Sequence, residues 1–354
     1  MYSSAAYAMS VPSSTAIRVW HTCDKAMNSL RRRMVVASAS VLIASAIVMP
    51  VRAVGARSDA VPVATRMRNV NLHIGQGIEL LIDDLSGRML SRVSGKPPVF
   101  DDLDSYFLDI DAARVSMTGE SLTSLMNNYV FAYPGAPLTH LKISIENGEL
   151  TQSGTLRKGV GVPFTMQATV TATKDGKIRL HPTAMKAAGV IPKRLLDFFG
   201  LTLDRLITLK PGSPMTIEGD DLLLDPERLL PPPRIRGRLT SVTIDKGRLV
   251  EHFGDVDAGR HGVAPPDRSA SNYMYFRGGT LRFGKLTMDD TDLLLIDADP
   301  KGPFDFSPQK YNDQLVAGYS KNTPTHGLIV YMPTLNNLAR IGTSGGLTPA
   351  ATGR

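Results

Sequence analysis

Residues 164–180 read FTMQATVTATKDGKIRL, and this stretch decides the fold class. Apolar and polar side chains alternate through its first half, which is the two-residue period of a strand with one buried face. Asp175-Gly176 then suits a tight turn, after which the alternation resumes. The stretch therefore predicts an antiparallel hairpin with one apolar face and one solvated face.

Further hairpin signatures lie on both sides of this stretch. Leu141, Ile143 and Ile145 alternate with polar residues before an Asn-Gly pair, which is a frequent two-residue hairpin turn. The recurrence indicates a meandering antiparallel sheet, and a genuine sequence repeat is the alternative. We predict an α+β chain that is mostly β, built as a curved antiparallel sheet or a barrel-like tube. Its predicted turns are Asn147-Gly148, Asp175-Gly176, Gly219-Asp220 and Lys246-Gly247.

Two apolar helices are predicted to line this sheet. Thr118 is a favourable N-cap, Glu120 suits the positive end of the first helix, and Pro134 stops it. The second helix is predicted over residues 192–209, where leucine and phenylalanine dominate. The apolar stripe of the first helix has helical spacing and consists of Leu122, Leu125, Met126, Tyr129 and Val130.

Composition along the chain predicts six segments. Residues 255–271 are polar and rich in glycine and proline, which is typical of a linker. The apolar stretches that follow predict a smaller C-terminal β segment, either a second domain or extra strands of the same sheet. The segments are a signal peptide (1–53), a linker (54–69), a β domain (70–254), a second linker (255–271), the C-terminal β segment (272–335) and a disordered tail (336–354).

The N-terminal segment has the three parts of a secretory signal. Three arginines, 31–33, precede an apolar run over 34–49, and Ala53 closes a small-x-small cleavage pattern. The run has about 16 residues, whereas a membrane-spanning helix needs about 20. We therefore predict an exported protein of a bacterial periplasm or cell envelope, with an uncleaved membrane anchor as the alternative. Sec export and twin-arginine export both stay open.

Once this leader is set aside, the composition argues against several classes of function. The full chain carries a formal net charge of +7, but residues 1–53 contribute six basic residues and one acidic residue. The other 34 basic and 32 acidic residues leave about +2, which does not favour nucleic-acid binding. Cys23, the only cysteine, also lies in the leader, so the mature chain is expected to have no disulfide and no cysteine nucleophile.

The residue patterns do not point to catalysis or to a metal. The histidines outside the leader are scattered, without the spacing of a zinc motif. The aspartates between 289 and 299 are better explained as turn residues than as a calcium loop, because Lys301 and Pro308 stand where oxygen ligands belong. Residues 342–346 match a nucleophile-elbow pattern, but no histidine follows them. We predict no enzymatic activity, no catalytic residue, no metal ligand and no cofactor.

The one-sided strands and the apolar helices together supply enough apolar surface to enclose a ligand. Two interpretations stay open: these residues line a cavity for an apolar ligand, or they fill an ordinary core. Under the first interpretation, the lipid-lining candidates are Leu122, Leu125, Met126, Phe164, Met166, Val170, Leu195, Phe198 and Phe199.

Residues 216–230 read TIEGDDLLLDPERLL and run into three prolines, 231–233, and a final hairpin over 237–250. This order resembles the closing region of the LmeA-like phospholipid-binding family, and with the upstream helix and strands the resemblance covers roughly residues 115–254. It implies a tubular or grooved antiparallel β fold, helices that line an apolar cavity, an exported location and a phospholipid ligand. It carries over no individual ligand contact, and residues 272–335 lie outside it.

We therefore expect an exported envelope protein that binds or transfers phospholipid-like apolar ligands without covalent chemistry. Its expected partners are a phospholipid or another lipid, a membrane surface or envelope proteins, and not nucleic acid. The alternative function is a β-rich structural or interaction protein of the envelope, with a filled core and a protein partner. A hydrolase of lipid or glycan is the third hypothesis, and the missing nucleophile argues against it.

Overall fold

Alternation of apolar and polar residues places most of this chain in antiparallel β-sheets. The structure, a computed structural model, describes residues 61–158, 160–187, 191–192, 207–255 and 262–338. The predicted signal peptide and the predicted tail from residue 339 onward lie outside these ranges. The prediction of a mostly β chain with antiparallel sheets is confirmed for the part that the structure describes.

The described ranges contain twenty strands and a few short helices. The strands are β1 (Val63–Gly75), β2 (Ile78–Ser91), β3 (Tyr106–Thr118), β4 (Leu138–Glu146), β5 (Glu149–Lys158), β6 (Val160–Ala172), β7 (Ile178–Ala187), β8 (Ile191–Pro192), β9 (Met215–Glu218), β10 (Asp221–Leu224), β11 (Arg234–Arg236), β12 (Leu239–Asp245), β13 (Arg248–Gly254), β14 (Tyr273–Arg277), β15 (Thr280–Phe283), β16 (Leu286–Asp289), β17 (Asp292–Asp297), β18 (Phe304–Phe306), β19 (Tyr319–Asn322) and β20 (Leu328–Met332). The helices are α1 (Gly119–Leu125), a π-helical turn (Met126–Val130), α2 (Pro226–Leu229), α3 (Tyr311–Val316) and a 3₁₀ turn (Leu335–Asn337).

Two large sheets contain nearly all of these strands. The first has the order β12-β13-β3-β2-β1-β14-β17-β20-β19, with β11 paired to β3 and β18 paired to β1. The second has the order β4-β5-β6-β7-β10-β9 with β8 on β7, while β15 and β16 form a separate hairpin. Neighbours are antiparallel except in the β11–β3, β18–β1 and β17–β20 pairs. Each sheet has two edge strands, β12 and β19 in the first and β4 and β9 in the second. Neither sheet therefore closes into a barrel within the described residues.

Strand β1 begins inside the segment 54–69, which the sequence predicts to be a linker, and this boundary is corrected. The inward positions Val63, Thr65 and Met67 are buried, but Thr65 is polar and the outward residue Ala64 is apolar, so the alternation is hard to recognise. β1 pairs with β2 on one side and with β14 on the other. Tertiary pairing therefore orders a stretch whose local strand preference is weak.

Apart from the β15–β16 hairpin, the strands between residues 272 and 335 belong to the first sheet. β14 pairs with β1 along its whole length, and β17, β20 and β19 follow outward. Next to this pairing, Asn69 Nδ2 donates a hydrogen bond to Asn272 Oδ1 at 2.7 Å, across 203 residues of sequence. Alternate side chains of β14 pack in the main core and in a smaller apolar cluster, so the strand is buried on both faces.

The first predicted helix is present and begins at its predicted cap. Thr118 Oγ1 accepts the backbone N–H of Ser121 at 3.1 Å, and α1 continues into the π-helical turn. From that turn, Asn127 binds both backbone groups of Leu141 on β4, with distances of 2.7 and 3.0 Å. These bonds cover the edge of the second sheet, where backbone groups would otherwise lack partners, and they hold the helix against it.

Replacement of Thr118 by alanine is expected to lower the free energy of unfolding by about 1 kcal/mol, because the Ser121 N–H loses its acceptor. Urea unfolding measures the change. Thr118→Ser keeps a hydroxyl acceptor and serves as the control, with a clearly smaller loss. Equal losses in the two variants would contradict capping as the cause.

The second predicted helix, 192–209, differs from the structure at both ends. Pro192 lies in strand β8, and residues 207–210 have no regular secondary structure. Proline lacks a backbone N–H and is tolerated at the edge of a sheet, which explains the strand here. Residues 193–206 lie outside the described part. Among the residues that are described, none belongs to a helix with the length and apolar character needed to cross a bilayer.

The inner faces of the two large sheets share one apolar core. Buried side chains from β1 to β3 and from β4 to β10 belong to a single continuous cluster. Aromatic rings are part of it: the Phe100 ring lies edge-on to Phe276 at 5.4 Å between centroids, and 4.8 Å from Phe283. The two sheets thus bury apolar side chains in the same core, and the candidate site lies between them.

Candidate functional site

An apolar cavity lies where the inner faces of the two sheets meet. β3 and β13 contribute side chains from the first sheet, β4, β5, β7 and β10 contribute from the second, and α1, the π-helical turn and α2 add theirs. The lining residues are Met117, Leu122, Met126, Ile143, Leu150, Gln152, Ile178, Leu180, Leu224, Pro226, Leu229, Leu230, Leu249 and Glu251.

The cavity is small in this structure, with a volume of about 30 Å³. One water molecule occupies about this volume in the liquid, whereas ligand pockets measure about 300–1,000 Å³. The sheets are therefore packed closely here, and an apolar chain enters only if the layers move apart. Met117 and Met126 favour such repacking, because methionine is unbranched and adapts to irregular spaces.

The structure brings part of the predicted lining set to this cavity. Leu122 and Met126 line it. Leu125 and Met166 are buried in the same core, but they do not line the cavity. Three further candidates lie outside the described residues, namely Leu195, Phe198 and Phe199.

The remaining two candidates, Phe164 and Val170, are half-buried at the core and do not line the cavity. Phe164 pairs across the sheet with Gly154 of β5. A Cβ added at Gly154 would lie 3.2 Å from the Phe164 ring and 2.7 Å from a Leu141 methyl group. The ring therefore fills the space above a glycine in its own sheet, and alternation along one strand does not reveal this packing.

Two polar side chains, Glu251 and Gln152, border the otherwise apolar cavity. Glu251 forms no hydrogen bond or ion pair within the described residues, and part of it stays accessible, as expected beside a cavity. Because apolar surroundings disfavour the charged form, burial raises the pKa of Glu251 to about 7. Sequence reasoning missed this residue, although Leu249, Glu251 and Phe253 alternate on one face of β13.

This arrangement can hold an apolar chain and offer it a hydrogen-bonding centre. Below about pH 7 the neutral carboxyl of Glu251 can donate one hydrogen bond and accept others, and the Gln152 amide can do both. A carboxyl without a partner in an apolar cavity is energetically unfavourable. Ionisable groups with shifted pKa values of this kind cluster at functional sites.

A second polar group joins β1 to β18 in the first sheet. His73 Nε2 contacts Asp305 Oδ1, and Asn71 Nδ2 donates to the same oxygen at 2.9 Å. The hydrogen bond with Asp305 raises the pKa of His73, and burial opposes it. The other ring nitrogen, Nδ1, lies 3.5 Å from Glu79 Oε1. Both ring nitrogens therefore face carboxylates, and the contacts join three strands, β1, β2 and β18.

The structure also bears on metal binding. Within the described ranges, no three His, Asp or Glu side chains are grouped closely enough to hold a metal ion. The apolar cavity with its two polar side chains is therefore the site on which a functional proposal can be built.

Comparison of the chain with known proteins gave no match. No protein-family model, no curated protein and no solved structure matches it. A function for this protein therefore has to be inferred from its own residues.

Proposed function

We propose that this protein binds the apolar chain of a phospholipid-like molecule in the cavity between its two sheets, without covalent chemistry. The observation that carries the proposal is the Glu251 carboxyl, which has no partner within the described residues and borders a largely apolar cavity. An ordinary core excludes such a group, because a buried charge without a partner is strongly destabilising. A ligand that supplies a hydrogen-bonding partner removes this penalty.

Binding requires the cavity to widen beyond about 30 Å³. Each methylene group transferred from water contributes about 0.8 kcal/mol, so a long acyl chain offsets the separation of the layers. The protein then has a closed state without ligand and an open state with ligand, and the ligand shifts the population towards the open one.

Two sequence features support the proposal independently of the cavity. The order of segments over 216–250 resembles the LmeA-like phospholipid-binding family, and the N-terminal leader predicts export to the periplasm or cell envelope. A protein that binds or transfers lipid suits such a compartment. Its partners in this proposal are a lipid and a membrane surface.

One observation favours a second function. A cavity of about 30 Å³ is also what a filled, closely packed core leaves. The alternative is therefore a β-rich structural or interaction protein of the envelope with a protein partner. Native mass spectrometry of protein purified without detergent separates the two. Adducts that extract as phospholipid support the proposal, whereas an apo mass with no uptake of added phospholipid contradicts it.

Replacement of Met126 by phenylalanine is expected to weaken binding of a phospholipid with a fluorescent acyl chain by roughly tenfold. The larger ring takes the place of about two methylene groups of the chain, at about 0.8 kcal/mol each. Fluorescence titration measures the dissociation constant.

Met166→Phe is the matched control, because Met166 is buried in the same core and does not line the cavity. Both substitutions overpack the core and are expected to lower stability by about 1–3 kcal/mol. Equal loss of lipid affinity in the two variants would show that the effect comes from stability and not from the cavity.

A further inference from the structure

A larger pocket opens at the surface beside α2 and the π-helical turn. Its volume is about 540 Å³. Arginines dominate its charged lining, and a single carboxylate accompanies them. We call it the arginine pocket, and its charged lining residues are Arg92, Arg228, Arg234, Arg236 and Glu227.

Most of these arginines form no ion pair within the described residues. Arg228 Nη2 donates to a backbone carbonyl at 2.6 Å, and neither Arg234 nor Arg236 forms an ion pair there. Only Arg92 meets a carboxylate, with 3.3 Å between its Nη1 and Asp104 Oδ1, and both side chains are exposed. Three of the four guanidinium groups are therefore free of ion pairs within the described residues, and the one carboxylate of the pocket, Glu227, accepts the backbone N–H of Gly237 at 3.1 Å.

β11 carries two of these arginines, and a ring contact orients one of them before any ligand binds. β11 pairs in parallel with β3, and the two-residue period places Arg234 and Arg236 on one side of it. The Arg236 Cζ lies 3.7 Å from the centroid of the Phe107 ring, a cation–π contact that orients the guanidinium. Such preorganisation reduces the side-chain entropy lost on binding.

The chemistry of the pocket suits a phosphate-bearing small molecule. A guanidinium group is a rigid fork that binds phosphate oxygens with two parallel hydrogen bonds. A volume of about 540 Å³ lies in the range of small-molecule sites and leaves room for more than the phosphate itself. The nearly balanced charge of the chain after residue 53 argues against an extended basic surface for a nucleic acid.

The arginine pocket and the apolar cavity lie on either side of the same two short elements. In α2, Leu229 lines the cavity and Arg228 lines the pocket. In the π-helical turn, Met126 lines the cavity and Tyr129 lines the pocket. An amphiphile can therefore place its charged head on one side of these elements and its chain on the other.

We propose that the arginine pocket binds the phosphate group of a phospholipid whose chain enters the apolar cavity. The placement of the acyl chain rests on the proposed function, whereas the anion site rests on the arginines alone. A free phosphate compound carries the same phosphate group as a lipid headgroup, so the test compares these two kinds of ligand.

The test uses the mature protein and three probes in isothermal titration calorimetry. They are inorganic phosphate, dihexanoyl phosphatidic acid as a water-soluble phospholipid, and dihexanoylglycerol as its uncharged counterpart. The phosphatidic acid is expected to bind at least tenfold more tightly than inorganic phosphate, because its chains add buried methylene groups. Higher salt should weaken both anionic probes and leave the uncharged one unchanged.

The double variant Arg234→Gln/Arg236→Gln is expected to weaken phosphatidic acid binding by roughly tenfold or more for each arginine, because charge-assisted hydrogen bonds are lost. Its binding of dihexanoylglycerol should not change. The control Arg268→Gln/Arg282→Gln removes the same charge from two exposed positions outside the pocket, and it should leave all three affinities unchanged.

Each result separates the two proposals. If the double variant binds phosphatidic acid as well as the wild type does while dihexanoylglycerol still binds, the anion site is wrong and the lipid cavity stands. If inorganic phosphate binds as tightly as phosphatidic acid and Met126→Phe changes neither, the pocket takes a free phosphate compound and the lipid headgroup is excluded. If no probe binds the wild type, both proposals fail.

Discussion

Replacement of Glu251 by glutamine is expected to remove a loss of stability that the wild type suffers as pH rises. Between pH 4.5 and pH 8.5, the free energy of unfolding of the variant should gain about 3 kcal/mol relative to that of the wild type. In the folded protein the pKa of Glu251 is raised to about 7, from an ordinary value of 4.5. As pH rises between these values, the unfolded chain loses its proton first, so the wild type loses stability until the folded carboxyl also ionises. Glutamine has no such proton to lose.

Urea unfolding at several pH values measures this effect. The informative quantity is how the free energy of unfolding of each protein changes with pH. Glu146→Gln removes a carboxylate from the exposed end of β4 and is the control, with an expected change within about 0.5 kcal/mol at every pH. If Glu251→Gln follows the wild-type pH profile, then the carboxyl is solvated and does not border an apolar cavity. A ligand that pairs with Glu251 would also reduce the difference, so the measurement uses delipidated protein.

Phe276→Ala is expected to destabilise the protein by about 3–5 kcal/mol, the usual loss for a buried phenylalanine. The side chain is 0% exposed and contacts the Phe100 ring edge-on. It lies on β14, so the variant tests whether the strands after residue 272 pack with the core of the preceding ones. Calorimetry should show a melting temperature lower by roughly 10 °C, at about 2–4 °C per kcal/mol for a domain of this size.

Leu286→Ala is the control for this second prediction, because Leu286 is 45% exposed and should cost less than about 0.5 kcal/mol. A single cooperative transition is expected in both variants. If Phe276→Ala instead unfolds in two separate transitions, then the C-terminal strands unfold as a unit of their own.

The sequence predicts those elements whose cause is local. Thr118 caps α1 because its hydroxyl reaches an N–H three residues later, and that spacing can be recognised in the chain itself. The alternation in β6 likewise predicts its buried face. The first half of β1, residues 63–69, escaped prediction because its burial depends on two partner strands, one of which is distant in sequence.

The candidate site could be predicted only in part, for physical reasons. Alternation along β13 places Glu251 between two buried apolar residues, and this signal was available without a structure. Alternation does not show how closely two apolar faces pack, so it cannot predict a cavity volume. The arginine pocket depends on the parallel pairing of β11 with β3, and nothing in the local sequence indicates which strand β11 joins.

The pairing of β1 with β14 also has a consequence for the time course of biosynthesis. Asn69 and Asn272, which meet beside this pair, are 203 residues apart. At a synthesis rate of about 5–20 residues per second, β14 is synthesised about 10–40 s after β1, and the edge of β1 that pairs with β14 has no partner during this time. During that interval the nascent chain exposes an unpaired strand edge, which is prone to aggregation. Correct folding therefore requires that this edge stays protected until β14 has been synthesised.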